Sequence, residues 1–413
     1  MKVAFLTLGC KLNYAETSTY ERSFLAAGLD VVPWRERADV YLVNTCSVTA
    51  VADTKSRNLV RKVHRVNPAA PVIVTGCSAQ LRRADFERIE GVARVFGCDE
   101  KHLVVAETLR LLGLDGVDLP VQTVFAAYST GERTRSFLKV QDGCNNFCKY
   151  CTVPYARGRS RNIPIAECVA DARAIAAEGV KEVVLTGVNT GDFGRTTGES
   201  FLDLLKALND VEGIERYRIS SIEPNLITEE IIDWIASGTK FQPHFHIPLQ
   251  TGSDELLARM GRHYDTAFFA DRLAYIRRTL EGPGKPKVFF GIDVMVGLPG
   301  ETPELFRRTY DFISSIRPAF IHVFPYSRRP GTPAAEMPGQ VPEAEKAARV
   351  AELEELCSRL HAEFVEFNRG VRERVLFEST CREGRMEGYT GNYIRIERPY
   401  DESLVGQLVD VVI

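Results

Sequence analysis

The chain has 413 residues, 45% of them apolar and 26% charged, with a formal net charge of −3. That balance excludes a disordered chain, gives length for two or three cores, and shows no whole-chain signature of nucleic-acid binding, although a local basic surface stays open. The opening MKVAFLTLGCKLNY lacks the apolar stretch and cleavage site of a secretory signal, and no apolar run reaches the roughly 18 residues of a membrane span, so a cytoplasmic protein with no membrane partner is expected.

Three β-rich runs, at 3–8, 40–43 and 72–74, alternate with helix-like stretches at 15–27, 51–66 and 80–89. Such alternation predicts βαβ units and a parallel sheet. Each run leads into a cysteine: FLTLGC ends at Cys10, YLVNTC at Cys46 and VIVTGC at Cys77. Neighbouring parallel strands share one carboxyl edge, where ligands bind, so three cysteines far apart in sequence should meet in space. Ten cysteines in a reducing cytosol read as metal ligands or catalytic groups before they read as disulfides. This triad suits an iron–sulfur cluster with three protein ligands and one open iron. Cysteines merely packed beneath the loops are the plainer reading, but three at equivalent strand ends go beyond it. The second helix stretch carries Lys55, Arg57, Arg61, Lys62 and Arg65; Arg57, Arg61 and Arg65 are spaced four apart, which suits either phosphate contact or a solvated face.

A linker is read at 113–120, and a second alternation begins at 136. Strand-like runs at 137–140, 182–185, 217–220, 245–248, 288–296 and 320–324, with helices such as 165–177, 202–208 and 267–280, predict six βα units. They form an incomplete barrel with its chemistry at the carboxyl ends of the strands. Just past the first strand stands DGCNNFCKYC at 142–151. Cys144, Cys148 and Cys151 can ligate three irons of a cubane, whereas zinc prefers four ligands in paired Cys-x2-Cys arrangements. Arg157, Arg159 and Arg161 follow this loop and suit phosphate contact. Cys98, Cys168, Cys357 and Cys381 share no such pattern and read as buried or inert thiols. A long helix at 343–367 closes the barrel segment, and short strand-like runs at 374–377, 393–396 and 408–413 predict a small β-barrel.

GCKLN at 9–13, NTC at 44–46, TGC at 75–77, the cysteine loop and PYARGRSR at 154–161 resemble the radical S-adenosylmethionine methylthiotransferases along nearly the whole chain. LTGVNTGDFG at 185–194, SSIEP at 220–224, HIPLQTGS at 246–253 and HVFPYSRRPGTP at 322–333 resemble the branch acting on N6-threonylcarbamoyladenosine in tRNA. Sister branches act on isopentenyladenosine in tRNA or on an aspartate of a ribosomal protein. The resemblance implies an α/β chain in three parts: a flavodoxin-like parallel domain at 1–120, a partial (β/α)6 radical barrel at 130–368 and a TRAM-like β domain at 370–413.

It also implies two [4Fe-4S] clusters, one on Cys10, Cys46 and Cys77 and one on Cys144, Cys148 and Cys151, and two uses of S-adenosylmethionine. One molecule methylates a sulfide held on the first cluster; another, chelated by the open iron of the second, yields a 5′-deoxyadenosyl radical that activates C2 of the base. By the same resemblance Tyr150 packs near the adenine of S-adenosylmethionine, and Glu223, His246, Gln250, Ser253, Asp293 and Gly297 line its pocket at the strand ends. The implied partners are a tRNA anticodon stem-loop carrying the modified base at position 37, a reductant such as a flavodoxin or ferredoxin, and a sulfur donor of unknown identity. The alternative from another class is an iron–sulfur RNA-binding scaffold without turnover.

Overall fold

In the computed structural model the described residues are 1–114, 125–131 and 134–413. From residue 115 onward, the linker read at 113–120 lies outside them. The first strands are Lys2–Thr7 (β1), Asp30–Val32 (β2), Val40–Thr45 (β3), Val72–Gly76 (β4) and Val92–Val95 (β5), paired in parallel in the order β2-β1-β3-β4-β5. That is the doubly wound flavodoxin order. Helices Lys11–Ala26 (α1), Ala50–Val66 (α2), Cys77–Leu81 (α3), Arg83–Glu87 (α4) and Val104–Leu111 (α5) surround the sheet. Alternate residues of β3 enter opposite cores: Val40 and Leu42 pack with Tyr20, Phe24 and Leu109, while Tyr41 and Val43 pack with Val60, Val63 and Phe86. A sheet buried on both faces explains the unbroken apolar runs of its strands.

Two local expectations fail. The first helix begins at Lys11 rather than 15, directly after Cys10, and the helix expected at 80–89 is two short helices broken at Arg82 (φ −136°, ψ 34°). The short strands β2 and β5 carry too few residues for a period to show.

The second alternation is built from Ala127–Tyr128 (β6), Arg135–Lys139 (β7), Gln141–Asp142 (β8), Val153–Arg157 (α6), Arg161–Asn162 (β9), Ile165–Ala177 (α7), Glu182–Thr186 (β10), Phe201–Asn209 (α8) and Arg216–Ile219 (β11). Glu229–Ala236 (α9), His244–Gln250 (β12), Asp254–Met260 (α10), Thr266–Leu280 (α11), Phe289–Val296 (β13), Pro303–Ile316 (α12), Phe320–Pro325 (β14), Pro333–Glu336 (α13) and Glu343–Phe367 (α14) complete it. Strands β7, β10 and β11 pair in parallel, as do β12, β13 and β14. The two sheets meet where Tyr217 bridges Phe241 and the Ile222 N–H donates to the His246 carbonyl at 3.1 Å. The result is an open barrel with one continuous core. Helices α8 to α12 start at side-chain caps, Ser200, Thr228, Ser253, Asp265 and Thr302, each accepting an N–H of the first turn.

Strands Arg372–Arg382 (β15), Arg385–Tyr389 (β16), Arg395–Pro399 (β17) and Leu408–Val412 (β18) form an antiparallel sheet in the order β17-β16-β15-β18. Buried Arg218 ties it to the barrel by donating to the carbonyls of Thr390 (2.8 Å) and Gly391 (2.7 Å). Glu182, fully buried, takes Arg218 (2.7 Å), Arg135 (2.7 Å) and Arg216 (3.3 Å). Burial alone would raise its carboxyl, but Arg218 and Arg135 hold it down at about 2.

Candidate active site: two cysteine triads and an adjoining cavity

In the first sheet the registers Thr7↔Asn44 and Thr45↔Gly76 put the cysteines that follow β1, β3 and β4 on one carboxyl edge. Cys10 is the N-cap of α1 and Cys77 the first residue of α3. The Cys10 turn lies against Cys46: a Cβ placed on Gly9, whose φ is +110°, would come within 3.0 Å of the Cys46 sulfur. Glycine is required there. Burial pushes the Cys46 thiol up to about 11. Cys77 is held down at about 6, first by a hydrogen bond from the Cys98 thiol, which with help from Arg157 and Lys101 overcomes the opposing effect of burial. Cys98 is buried as expected, yet it stands against this triad rather than apart from it. Cys168 and Cys357 pack in the barrel core, and Cys381 is exposed on β15.

The second triad sits in the loop after β8. Gly143 (φ +72°) lets that loop run against the backbone of Arg159, where a Cβ would meet the carbonyl oxygen at 2.1 Å. The Asn146 N–H donates to the Cys144 sulfur and the Val153 N–H to the Cys151 sulfur, both at 3.4 Å, while the Arg262 guanidinium donates to the Cys148 sulfur at 3.1 Å. Burial raises Cys144 to about 11 and Cys151 to about 12, so these thiols ionise when a metal displaces their protons.

Sulfurs on one zinc stand roughly 3.8 Å apart, given bonds of about 2.3 Å. Among the described residues, only His246, Asp293 and His322 form a trio whose donor atoms all lie within 4.8 Å; neither cysteine triad does. The sulfurs of neither triad are therefore gathered as the ligands of one ion would be, and N–H donors to sulfur are the dipoles that iron–sulfur clusters take.

Between the triads lies a buried ion network that the sequence did not announce. Glu16 of α1 accepts from Lys101, from Lys139 (3.0 Å) and from Arg157 (3.2 Å); Asp142 accepts from Lys139 (2.9 Å), Arg157 (3.0 Å) and Arg161 (3.5 Å). Arg157 also donates to Asn13 at 2.5 Å. Burial opposes the charge on Glu16, but Lys101, Lys139 and Arg157 together hold its carboxyl well below the usual range. Two buried carboxylates against three buried cations leave one positive charge, beneath Cys77 and Cys10. A three-thiolate cluster is an anion, which this surplus suits. Arg157 was expected to face RNA; at 2% exposure it is committed instead to this network. Arg161 is half-buried and holds the Arg157 carbonyl at 2.7 Å.

Arg159 is exposed, with its guanidinium 4.6 Å from the Phe147 ring. Phe147 (φ +48°) packs edge-on against Tyr155, and both rings are exposed, at 37% and 50%. On α2, Arg57, Arg61 and Arg65 line a groove with His64 and Arg88, while Asp85 stands 3.9 Å from Arg57.

The residues expected around S-adenosylmethionine divide into groups. Glu223 and Tyr150 share Arg262, which donates to the Glu223 carboxylate and to the Tyr150 hydroxyl at 3.4 Å. His246 and Asp293 are hydrogen-bonded at 2.8 Å, with the His322 ring 5.1 Å from that of His246. Burial holds His322 below its ordinary value. Gln250 has a left-handed φ of +71° at a bulge of β12, the backbone strain that functional strand ends carry. Ser253 caps α10, and the Gly297 N–H donates to Glu301 at 2.6 Å, so both have structural tasks.

Two arginines escaped the sequence reading. Arg262 follows the left-handed Gly261 cap of α10 and carries no motif of its own. Arg329 lies within the quoted 322–333 run, a signal that was present; it reaches Ser47 (2.8 Å) and Asp53 (2.6 Å) and straps the Cys46 turn to the barrel. The two cysteine loops touch directly where the Thr152 hydroxyl donates to the Ser47 carbonyl at 3.4 Å. The Cys10 turn also lines a cavity of about 1340 Å³, walled by Cys10 and Lys11, by Arg218, Ser220, His246 and His322 of the barrel, and by Glu378, Tyr389 and Tyr393 of the C-terminal sheet.

A family model of the Radical SAM superfamily matches residues 138–313, and one of the uncharacterized protein family UPF0004 matches 2–97. The chain is 39% identical to the threonylcarbamoyladenosine tRNA methylthiotransferase MtaB of Bacillus subtilis, over 100% of this chain and 93% of that protein. It is 37% identical to MtaB of Aquifex aeolicus over the full length of both. The tRNA-2-methylthio-N(6)-dimethylallyladenosine synthase of Carboxydothermus hydrogenoformans is 32% identical, over 99% of this chain and 95% of that protein. Among solved structures, the radical S-adenosylmethionine methyltransferase TsrM from Kitasatospora setae superposes with a TM-score of 0.59 at 16% identity, covering 92% of this chain and 79% of that one; the likeness is of fold.

Proposed function

The chain belongs to the radical S-adenosylmethionine methylthiotransferases, and on that premise we propose that it inserts a methylthio group at C2 of N6-threonylcarbamoyladenosine at position 37 of tRNA. It is an enzyme that uses S-adenosylmethionine and [4Fe-4S] chemistry. In this reading Cys144, Cys148 and Cys151 hold one cluster and Cys10, Cys46 and Cys77 a second, and two molecules of S-adenosylmethionine serve each turnover. When bound, the cluster on Cys144, Cys148 and Cys151 would supply the electron that splits S-adenosylmethionine to a 5′-deoxyadenosyl radical, and the one on Cys10, Cys46 and Cys77 would hold the sulfur to be transferred. Three domains, at 1–120, 130–368 and 370–413, a flavodoxin- or ferredoxin-type reductant and an unidentified sulfur donor belong to the same reading.

The observation that carries it is the meeting of the two cysteine loops, Thr152 on Ser47, together with Cys10 of the N-terminal triad standing in the wall of a cavity roomy enough for a nucleoside. Arg262 orients Cys148 and Glu223 together, so the residues expected near S-adenosylmethionine are fixed to the cluster loop. Arg157 locks α1, and with it Cys10, to the loop that carries Cys144. A base beside an anticodon is already unstacked from a duplex and can be splayed into the cavity. Its neighbours suit the exposed Phe147–Tyr155 pair beside Arg159, since aromatic faces stack any base. Arg61, Arg65 and Arg88 offer phosphate contacts. Of the relatives compared, those named for threonylcarbamoyladenosine are more alike in sequence than the one named for dimethylallyladenosine.

The test uses anaerobically reconstituted, reduced protein with S-adenosylmethionine and an anticodon stem-loop RNA carrying threonylcarbamoyladenosine. The wild type is expected to yield both 5′-deoxyadenosine and the methylthio product. Cys148→Ala should lose both, whereas Cys46→Ala should keep the first and lose the second. Equal behaviour of the two variants overturns the division of labour between the triads.

A further inference from the structure

We propose that Lys11 receives the carboxylate of the threonyl group, and so selects the carboxylated base over an uncharged N6 substituent; this rests on the substrate reading above. Lys11 is half-buried, opens α1 next to Cys10, and lines the cavity. Among the described residues its ammonium has no hydrogen bond and no ion pair. Deeper cations of the same cavity are committed. Arg218 serves Glu182 (2.7 Å), Thr390 (2.8 Å) and Gly391 (2.7 Å), and Arg135 lies between Glu182 (2.7 Å) and Glu378 (3.0 Å). Arg382, unpartnered too, is exposed at the rim.

A partly desolvated ammonium with no hydrogen bond or ion pair of its own is costly, and the cost is recovered when an anion comes into contact with it. The chemistry of the substrate supplies one. The urea N–H of a threonylcarbamoyl group closes a six-membered hydrogen-bonded ring onto N1 of the adenine, turning the threonyl carboxylate toward the C2 edge. That edge is where the methylthio group goes, and Lys11 adjoins Cys10, which holds the sulfur-bearing cluster in this account. A dimethylallyl substituent brings no charge and would leave the ammonium buried and unpaired, so the same residue attracts one base and repels the other.

Three stem-loop RNAs test this with the reconstituted holoenzyme: one carrying threonylcarbamoyladenosine, one its threonine amide, and one dimethylallyladenosine. The wild type should favour the acid over the amide by about ten- to a hundredfold in kcat/KM, the span of a charged hydrogen bond. Fluorescence anisotropy should show the same preference in Kd. Lys11→Gln should bring that ratio to within about threefold, and Lys11→Arg should restore most of it, with iron and sulfide contents unchanged. A wild type indifferent to acid and amide overturns the proposal. So does a Lys11→Gln loss equal on both RNAs, the result of contact with an RNA phosphate instead. Turnover of the dimethylallyl RNA alone would sink the substrate reading itself, and this proposal with it.

Discussion

Arg262 and Arg157 bear charge in places where water hardly reaches, and each touches one of the cysteine loops. Arg262, with a side chain only 4% exposed, donates to the Cys148 sulfur, the Glu223 carboxylate and the Tyr150 and Tyr264 hydroxyls. Removing it leaves a buried carboxylate without its counter-ion, a change that typically costs about 3–5 kcal/mol. Arg262→Ala should therefore lower single-turnover formation of 5′-deoxyadenosine by at least about tenfold, and Arg262→Lys, lacking the fork, should recover only part of it. Unchanged rates in Arg262→Ala would show that the contacts are structural only. The six cysteines were legible because their spacing and position after strands are local properties of the sequence. The arginines were not, because an arginine held by groups far away in the chain looks like one on a solvated face. Arg157 misled for that reason: its neighbours Arg159 and Arg161 make a basic run, while its partners Glu16 and Asn13 lie more than 140 residues away.

Helix α2 illustrates what an element adds. Its capping by Thr49 and its buried Val60 and Val63 orient the opposite face outward, so Arg61 and Arg65 are exposed side by side along a groove that Arg88 of the following segment completes. Each cation on a phosphate adds about 0.9 to the slope of log affinity against log salt on duplex nucleic acid, and about 0.7 on single strands. Replacing Arg61 and Arg65 together by Ala should flatten the slope for stem-loop RNA by between one and two, read by anisotropy across a salt series. A slope that does not change places the RNA elsewhere. Long elements with a clear period, such as α7 and α14, were legible to the residue. The start of α1 was not, since GCKLN carries no side-chain cap and its Asn13 is a polar residue turned inward by tertiary contacts.

At the scale of the molecule, the carboxyl edge of a parallel sheet and that of an open barrel are brought together by Arg157, Arg329 and the Thr152–Ser47 contact, and the C-terminal sheet closes the cavity from a third side. The architecture followed from the alternation of runs in the sequence; the juxtaposition did not, because it depends on a buried ion network with members in every part but the last. No helix of the described residues is long and apolar enough to cross a membrane. The account stands on six thiolates that form two cubanes with three protein ligands each. Iron and acid-labile sulfide, determined on anaerobically reconstituted protein, test it most directly. The wild type should hold about eight irons per chain, and the variant with Cys10, Cys46 and Cys77 all replaced by Ala about four, still able to cleave S-adenosylmethionine. About four irons in both proteins would contradict it.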